Sequence, residues 1–273
     1  MKELAGKVTV ITGGARGVGL GLARAFAEQR MRVVLADVDE AALRDAVASL
    51  RASGVEAMGV PTDVSDVDAI VRLRDAAFER FGAVHVLCNN ASAGGGGGFC
   101  EPIDVAAWES VMATAVYSVL HGLNAFLPQM LEQGEGHIVN TSSRQGLVPA
   151  PILGAYPPAK AAVITLSEML HAELAERAAP VGVTVLTPGG VRTEGILASL
   201  AACETGERND PAMQEFLATR VAAAVDPLDL GRLVVRAVRA GVLYVNSHKE
   251  TLEWLRERFD RMARDAERIG TVR

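Results

Sequence analysis

Short runs of apolar and β-branched residues alternate along the chain with longer amphipathic stretches. The short runs lack the polar alternation of a half-exposed strand, so they are typical of parallel strands covered on both faces. The predicted strands are 7–12, 32–36, 55–60, 84–88, 137–141, 181–186 and 242–245. The predicted helices are 20–30, 40–50, 66–81, 102–131, 154–177 and 228–239. This βα alternation predicts an α/β protein.

Two segments depart from the alternation. Residues 194–224 are rich in alanine and interrupted by polar residues at 206–211, which predicts a helical flap over a site or, alternatively, an ordinary surface insertion. Residues 249–270 form a predicted C-terminal helix with an apolar stripe at steps of three and four. We expect the stripe to pack on its own domain, and a subunit contact is the alternative. Its members are Leu252, Leu255, Phe259, Met262, Ala266 and Ile269.

Length and charge narrow the class of protein. A chain of 273 residues can form one large domain with a substantial core. Its net charge of -6 argues against a nucleic-acid partner or an anionic membrane surface. No charged and apolar leader opens the sequence, and no apolar run approaches the ~18 residues of a membrane span. We therefore expect neither nucleic acid nor membrane as a partner.

The cysteines predict a reducing compartment. Cys88, Cys100 and Cys203 are odd in number and show no C-x-x-C spacing, so neither a disulfide framework nor a zinc site is indicated. We expect a cytoplasmic protein without a metal.

A glycine-rich turn follows the first predicted strand and starts the first predicted helix. Gly13, Gly17 and Gly19 in this position let the backbone approach a pyrophosphate, whose charge sits against the free N–H groups of the helix start. The alternative is a tight strand-to-helix connection without a ligand. The position of the turn favours dinucleotide binding.

An acidic residue ends the second predicted strand. Asp37 lies 18 residues past Gly19, where a carboxylate accepts hydrogen bonds from the adenosine ribose and repels a 2′-phosphate. This favours NAD over NADP. Arg16 is the opposing feature, because a basic side chain in the turn can pair with a 2′-phosphate. Asp37 is alternatively the N-cap of the next helix.

Tyr156 and Lys160 stand four positions apart at the start of a predicted helix, so they share one face. A neighbouring cation favours the phenolate form of a tyrosine and so makes it a better acid and base near neutral pH. Ser143 ends the preceding strand region, and its hydroxyl could hold a substrate oxygen beside the tyrosine. By itself the Tyr–Lys spacing is weak evidence, because it is more often that of an exposed helical pair.

A run of five glycines at 94–98 follows the fourth predicted strand. It cannot pack a core, so it is either a flexible loop over the carboxyl edge of the sheet or a solvated spacer.

Several motifs occur in a shared order: the glycine turn, Asn89-Asn90-Ala91, Ser143, Tyr156 with Lys160, and Pro188-Gly189. With them, the sequence closely resembles the short-chain dehydrogenase/reductase family over roughly residues 5–195. The resemblance implies one Rossmann-like, doubly wound domain with a seven-stranded parallel sheet flanked by helices. It also implies hydride transfer between a nicotinamide and an alcohol or carbonyl carbon.

The resemblance implies a role for each matching residue. Tyr156 is the general acid and base, Ser143 orients and polarises the substrate oxygen, and Lys160 strengthens the tyrosine and binds the nicotinamide ribose. The implied cofactor-binding residues are Gly13, Arg16, Gly17, Val18, Gly19, Asp37, Asp63, Val64, Asn90, Ala91, Tyr156, Lys160, Pro188, Gly189, Val191 and Thr193. Gln145, Leu153 and Ile196 are candidates for the substrate pocket. The apolar residues of the flap suggest a substrate with an apolar body, and they are Ile196, Leu197, Leu200, Met213 and Phe216.

The sequence departs from the family pattern at two positions. Ser92 stands where the family has a glycine after Asn-Asn-Ala. Ala115, seven residues after Trp108, stands where the family has the asparagine of its catalytic tetrad. That asparagine is thought to hold a kink in the helix. Its backbone carbonyl is thought to bind a water that relays protons to the lysine. An alanine retains only the carbonyl.

Three functions are compatible with these features. The first is an NAD-dependent oxidoreductase acting on a secondary alcohol or ketone with an apolar body. The second is an NADPH-dependent biosynthetic ketoreductase, in which Arg16 outweighs Asp37. The third is a cofactor-binding protein with little turnover, because of Ala115. In each case we expect a homodimer or homotetramer, formed through the two long helices 102–131 and 154–177.

Overall fold

The computed structural model describes residues 1–92, 103–205 and 210–270. Its centre is a seven-stranded parallel sheet with the order β3-β2-β1-β4-β5-β6-β7. This confirms the predicted doubly wound α/β fold. The strands are β1 Val8–Thr12, β2 Arg32–Asp37, β3 Ala57–Pro61, β4 Val86–Asn89, β5 Gly136–Thr141, β6 Val181–Thr187 and β7 Tyr244–Asn246.

Helices cover both faces of the sheet, and those that follow the first five strands lie close to their predicted ranges. The helices are α1 Gly17–Glu28, α2 Glu40–Ala52, α3 Val67–Phe81, α4 Val105–Met112, α5 Ser118–Glu132, α6 Arg144–Leu147, α7 Tyr156–Glu176, α8 Glu194–Glu204, α9 Pro211–Ala222, α10 Pro227–Ala240 and α11 Glu250–Ile269. The short α6 is absent from the sequence prediction, because four residues carry no helical periodicity. The predicted helix 102–131 is divided by a π-helical turn, Ala113–Tyr117.

The sheet changes winding direction between β1 and β4, and this change creates the crevice that holds the site. The first three strands are added outward to one edge, and the chain then returns to place β4 on the other side of β1. One apolar core packs α1, α2 and α10 on one face, and a second packs α3, α5 and α7 on the other. In such a sheet, loops at the carboxyl ends of the strands diverge at the switch point and leave room for a ligand.

The C-terminal helix α11 projects away from the body of the domain. Phe259, Met262 and Ile269 are 59%, 57% and 84% exposed. The expectation that this stripe packs on its own domain is therefore wrong for most of its length. Contacts with α6 hold only the first half of the helix: Trp254 lies under the Arg144 guanidinium, and Arg258 donates to the Leu147 carbonyl.

One helical stretch, residues 105–132, is long and apolar enough to cross a membrane, and it is the only such stretch within the described parts of the chain. By this criterion, the expectation of no such segment is wrong. Half of its most apolar window, 50%, is buried inside the domain, however, and buried core helices pass the same test. The finding is weak support for a membrane span.

Three features predicted from the sequence lie wholly or partly outside the described residues. They are the glycine run 94–98, the side chain of Cys100, and most of the polar interruption at 206–211. The flap itself is helical on both sides of that interruption, as α8 and α9.

Candidate active site

The glycine turn between β1 and α1 is packed too closely to accept side chains. A Cβ on Gly19 would lie 2.0 Å from the Gly13 carbonyl oxygen, and Gly13 itself has a φ of +61°. The Asn90 amide donates to the carbonyls of Thr12 and Gly13 at 3.0 and 3.2 Å, which fixes the turn against the end of β4. The turn therefore presents backbone rather than side chains to the crevice.

Helix α1 begins without a side-chain cap. Its N-cap residue is Arg16, whose side chain accepts no hydrogen bond, whereas Asp39, Asp66 and Asp226 cap α2, α3 and α10. The first N–H groups of a helix need an acceptor, and together with the helix dipole they favour an anion. The start of α1 therefore has the donors that a pyrophosphate requires.

Asp37, at the end of β2, is held by backbone donors. Its Oδ2 accepts from the Ala15 N–H and its Oδ1 from the Asp39 N–H, each at 3.1 Å. The N-cap of α2 is Asp39, which accepts from the Ala42 N–H at 3.0 Å. The alternative interpretation of Asp37 as that cap is therefore wrong. Its fixed carboxylate lines the crevice.

Arg16, the cation predicted in the glycine turn, is paired with carboxylates. The Arg16 guanidinium lies 2.7 Å from the Asp39 carboxylate and 3.7 Å from that of Glu194 at the start of α8. A 2′-phosphate would have to compete with both carboxylates for this side chain. Arg16 therefore lies at the surface between two carboxylates.

Asp63, after β3, belongs to a tight turn. Its carboxylate accepts from the Ser65 hydroxyl at 2.7 Å and from the Ser65 N–H at 2.9 Å, and these bonds lower the pKa of Asp63. The carboxylate is thus ionised and partly satisfied. Asp63 and Val64 nevertheless line the crevice, where the family resemblance places the adenine.

Ser143 and Tyr156 stand at the starts of two consecutive helices. Ser143 caps α6: its hydroxyl oxygen accepts from the Gln145 N–H at 3.2 Å and donates to the Pro188 carbonyl at 3.5 Å. Tyr156 is the first residue of α7. Both line the same crevice, because α6 packs against α7 and against β6.

Lys160 is only 2% exposed and one turn further along α7. Its Nζ donates to the Thr141 carbonyl at 3.0 Å and lies 5.6 Å from the centre of the Tyr156 ring. Burial lowers the pKa of Lys160 to about 8, because the interior solvates the ammonium poorly. With this pKa, Lys160 is mostly protonated at pH 7 and mostly deprotonated above pH 8.

The π-helical turn places Ala115 in the middle of an irregular stretch of helix. Ala115 is 1% exposed. The Thr114 hydroxyl donates to the Ser110 carbonyl at 3.0 Å, and the Ser118 hydroxyl donates to the Thr114 carbonyl at 2.7 Å. Side-chain hydroxyls of this kind bond carbonyls that a regular helix would use. The helix is therefore irregular at this position without an asparagine.

The crevice has a volume of about 800 Å³. It brings together most of the predicted site residues, namely Gly13, Arg16, Val18, Gly19, Asp37, Asp63, Val64, Asn90, Ala91, Ser143, Tyr156, Lys160, Pro188, Gly189, Val191, Thr193 and Ile196. Residues that lay on six different strand ends in the sequence thus share one cavity.

Three predicted residues lie outside the lining of this cavity. A Cβ on Gly17, whose φ is +53°, would lie 3.0 Å from the Thr193 side chain, so Gly17 serves the packing of the turn. Gln145 is buried, and its side-chain oxygen accepts from the Ala150 N–H at 2.7 Å, so it closes the loop between α6 and α7. Leu153 packs on the apolar cluster of the flap. The structure thus gives Gln145 and Leu153 packing contacts in place of the predicted pocket positions.

Sequence reasoning missed other residues of the lining. They are Val38, Thr62, Ser65, Ser110, Thr114, Thr141, Ser142 and Arg220. Most are small polar residues without a motif. Arg220 could have been noticed, because it is the only basic residue of α9.

The crevice fits a nicotinamide dinucleotide. The uncapped start of α1 suits the pyrophosphate, and the Asp37 carboxylate suits a ribose. The Thr141 hydroxyl is buried in the lining without a hydrogen-bond partner, so it is free for a bound group. Among the described residues, no group of three His, Cys, Asp or Glu side chains could hold a metal ion.

Comparison with known proteins agrees with this geometry. A family model described as short chain dehydrogenase matches residues 7–201. The chain is 32% identical over 265 residues to 1-deoxy-11-beta-hydroxypentalenate dehydrogenase from Streptomyces exfoliatus, covering 93% of this chain and 87% of that protein.

Two solved structures extend the similarity. A short-chain dehydrogenase/reductase from Burkholderia phymatum, in complex with NAD, superposes with a TM-score of 0.88 at 37% identity, over 97% of each chain. Actinorhodin polyketide ketoreductase with NADPH superposes with a TM-score of 0.79 at 29% identity, over 90% of this chain and 97% of that one.

Proposed function

The chain belongs to the short-chain dehydrogenase/reductase family of NAD(P)-dependent oxidoreductases acting on CH–OH and C=O groups, and we propose that it uses NAD to interconvert a secondary alcohol and a ketone with an apolar body. The observation that carries this proposal is the meeting of Ser143, Tyr156 and Lys160 with the glycine turn in one crevice. A proton-transfer group and a dinucleotide cradle are the two parts that such a reaction needs.

The residues divide the proton chemistry among them. The nicotinamide, when bound, supplies or accepts the hydride. The Ser143 hydroxyl can turn from its long bond to the Pro188 carbonyl and donate to the substrate oxygen, which it then holds beside Tyr156. In oxidation Tyr156 takes the alcohol proton, and in reduction it returns a proton to the carbonyl oxygen. The Lys160 ammonium lies beside the Tyr156 ring, and the Thr141 carbonyl fixes it in place.

The preference for NAD rests on the charges around the end of β2. The Asp37 carboxylate is fixed by two backbone N–H groups, and a negative charge there repels a 2′-phosphate. The opposing cation, Arg16, is paired with Asp39 and Glu194. The NAD complex of the Burkholderia protein is consistent with this choice. NADPH-dependent reduction is the second candidate, favoured by Arg16 and by the ketoreductase neighbour.

The apolar body of the proposed substrate rests on the flap. Ile196 of α8 lines the crevice, and behind it Leu200, Phe216 and Leu153 form an apolar cluster with the buried Met213 and Leu217. The relative named 1-deoxy-11-beta-hydroxypentalenate dehydrogenase is consistent with a hydroxylated substrate.

Two measurements test the proposed function. The first compares the dissociation constants of NADH and NADPH, and we expect NADH to bind more tightly. Tighter binding of NADPH would support the ketoreductase instead. The second follows absorbance of the reduced cofactor with a panel of secondary alcohols and ketones, with Tyr156→Phe as the control. Absence of turnover in the unmodified protein across the panel, in both directions and with both cofactors, would reject the proposal.

Self-association is a further part of the proposal. Tyr117 and Leu120 on the α4–α5 unit and Met169 on α7 are large apolar side chains exposed on the two long helices. Burial of such residues favours association, and we expect a homodimer or homotetramer. Light scattering coupled to size exclusion gives the mass, and Met169→Glu should lower it. A monomeric unmodified protein would contradict this expectation.

A further inference from the structure

Arg220 reaches from the flap into the crevice. Its Nη2 donates to the Gly189 carbonyl at 3.0 Å, and its guanidinium carbon lies 5.2 Å from the centre of the Phe216 ring, one turn earlier on α9. Gly189 is fixed in turn, because its N–H donates to the Ser247 hydroxyl at 2.9 Å. The Gly189 carbonyl and the Phe216 ring therefore fix the position of the guanidinium. Tyr156 lines the same cavity.

This cation has no anionic partner in the described structure. The described carboxylates within 4.0 Å of a basic group are paired with other residues, and Arg220 donates one hydrogen bond although a guanidinium has five N–H donors. The side chain is largely enclosed, and burial lowers the pKa of Arg220, an effect that the neighbouring Tyr156 opposes. An enclosed and unpaired charge is costly to a fold. Its presence in a binding crevice indicates an anionic ligand.

A second cation, Arg144, lies near Arg220. Arg220 also lines a smaller adjoining cavity of about 300 Å³, together with Arg144, Ala212, Glu215, Phe216 and Thr219. The two guanidinium groups are close enough that the charge of Arg220 contributes, after burial, to lowering the pKa of Arg144, while the Glu250 carboxylate opposes this effect. Glu215 is exposed and makes no ion pair with either arginine within 4.0 Å. Glu250 thus offsets part of the charge on Arg144, whereas no carboxylate acts in this way on Arg220 among the described residues.

We propose that Arg220 binds a carboxylate of the substrate, so that the enzyme acts on hydroxy acids and oxo acids whose reacting carbon lies beside Ser143 and Tyr156. A guanidinium and a carboxylate form two parallel hydrogen bonds, which orient a substrate as well as hold it. The apolar wall at Ile196 faces the part of the molecule between the two polar ends. This inference rests on the proposed function, since it names the substrate class of the same site.

The distinguishing experiment compares acids with neutral molecules of the same shape. The substrates are levulinate and its longer methyl-ketone homologues, each paired with its primary amide. We expect the unmodified enzyme to prefer one or more acids over the matching amides by at least tenfold in kcat/KM, mainly through a lower KM. In Arg220→Gln this ratio should fall toward one, and Arg220→Lys should restore part of it. Arg236→Gln, an exposed arginine on α10, is the charge-matched control and should keep the ratio.

Three results would overturn the proposal, and they are distinguishable from failure of the proposed function. Equal use of acids and amides by the unmodified enzyme shows an oxidoreductase without a carboxylate site. An equal loss for both substrate types in Arg220→Gln, with a shifted pH profile, shows that Arg220 acts on Tyr156 instead. If nothing in the panel turns over, the oxo acids are titrated calorimetrically into the protein with NAD, and their binding tests the carboxylate site. Binding that is lost in Arg220→Gln supports the carboxylate site, whereas no binding or unchanged binding overturns it.

Discussion

Lys160 lies with its ammonium 5.6 Å from the centre of the Tyr156 ring, while its hydrogen bond goes to the Thr141 carbonyl rather than to the phenol. The lysine is therefore not a direct hydrogen-bond donor to the phenol in this structure. Its contact with the tyrosine is that of a cation placed over the ring.

Removal of the phenol should separate binding from chemistry. In Tyr156→Phe the ring remains in place but the proton donor is lost, so we expect kcat to fall by roughly 10²- to 10⁴-fold. The dissociation constant of NADH, measured by fluorescence titration, should change by less than about threefold. Retention of more than a tenth of the activity would contradict the assignment of Tyr156 as acid and base.

Replacement of Lys160 should lower activity and shift its pH dependence. In Lys160→Met the cation beside the proton-transfer group of the proposed reaction is lost, so the rate at neutral pH should fall and the pH profile of oxidation should change position. The measurement is the pH profile of kcat/KM between about pH 6 and 10. A profile unchanged in position would show that Lys160 does not act on the tyrosine through its charge.

The same substitution should stabilise the protein. The pKa of Lys160 falls from its ordinary value of 10.5 to about 8, so below pH 8 the folded state holds a charge that the unfolded state holds more easily. Lys160→Met should raise the free energy of unfolding by up to about 3 kcal/mol at pH 7, less the loss of the bond to the Thr141 carbonyl. This increase in the free energy of unfolding should become smaller between pH 8 and 10.5, as Lys160 loses its charge first in the folded and then in the unfolded state. Denaturant unfolding at both ends of this range is the measurement, with the exposed Lys2→Met as control.

Cofactor preference should follow the charges at the end of β2. Asp37→Ala removes a ribose acceptor and a repulsive charge, so the ratio of NADPH to NADH affinity should rise by about tenfold or more. Asp39→Asn keeps the cap of α2 but frees Arg16, and it should tighten NADPH binding selectively. If neither variant changes the ratio, Asp37 and Arg16 do not select the cofactor.

The π-helical turn leads us to expect little benefit from restoring an asparagine. Ala115 is buried, so Ala115→Asn introduces polar bulk into a packed site, and the free energy of unfolding should fall by about 1–3 kcal/mol. Because the helix is already irregular at this position, kcat should change by less than tenfold. A larger gain in kcat would favour the alternative of a cofactor-binding protein with little turnover.

His137 should make stability depend on pH. It is buried beside the Thr184 hydroxyl at 2.8 Å, and burial lowers the pKa of His137 from 6.5 to about 3. Between pH 7 and 5 the His137 imidazole takes up a proton in the unfolded chain but stays neutral in the folded protein. The free energy of unfolding should therefore fall by about 2 kcal/mol because of this residue. In His137→Gln the difference between unfolding free energies at pH 7 and 5 should be smaller by that amount. An unchanged difference would show that the histidine titrates normally.

Local spacing predicted much of the site because the fold converts it directly into position. In a doubly wound sheet every strand ends at the same edge, so the glycine turn, Asp37, Asn90 and Ser143 had to meet once the strands were identified. The positions of the Gln145 and Leu153 side chains could not be predicted in this way. Their closeness to Ser143 and Tyr156 in the chain says nothing of the direction of their side chains, and the structure turns both into packing contacts.

The sequence by itself determined the order of strands and helices, the glycine turn, and the Tyr–Lys pair on one helical face, since each depends on residues within a few positions of one another. Only the tertiary structure decided which charges are paired. It joined Arg16 to Asp39 and Glu194, held Lys160 on the Thr141 carbonyl, and brought Arg220 from the flap to Gly189. These contacts join segments distant in the chain, and the energy of a charge depends on what surrounds it in space.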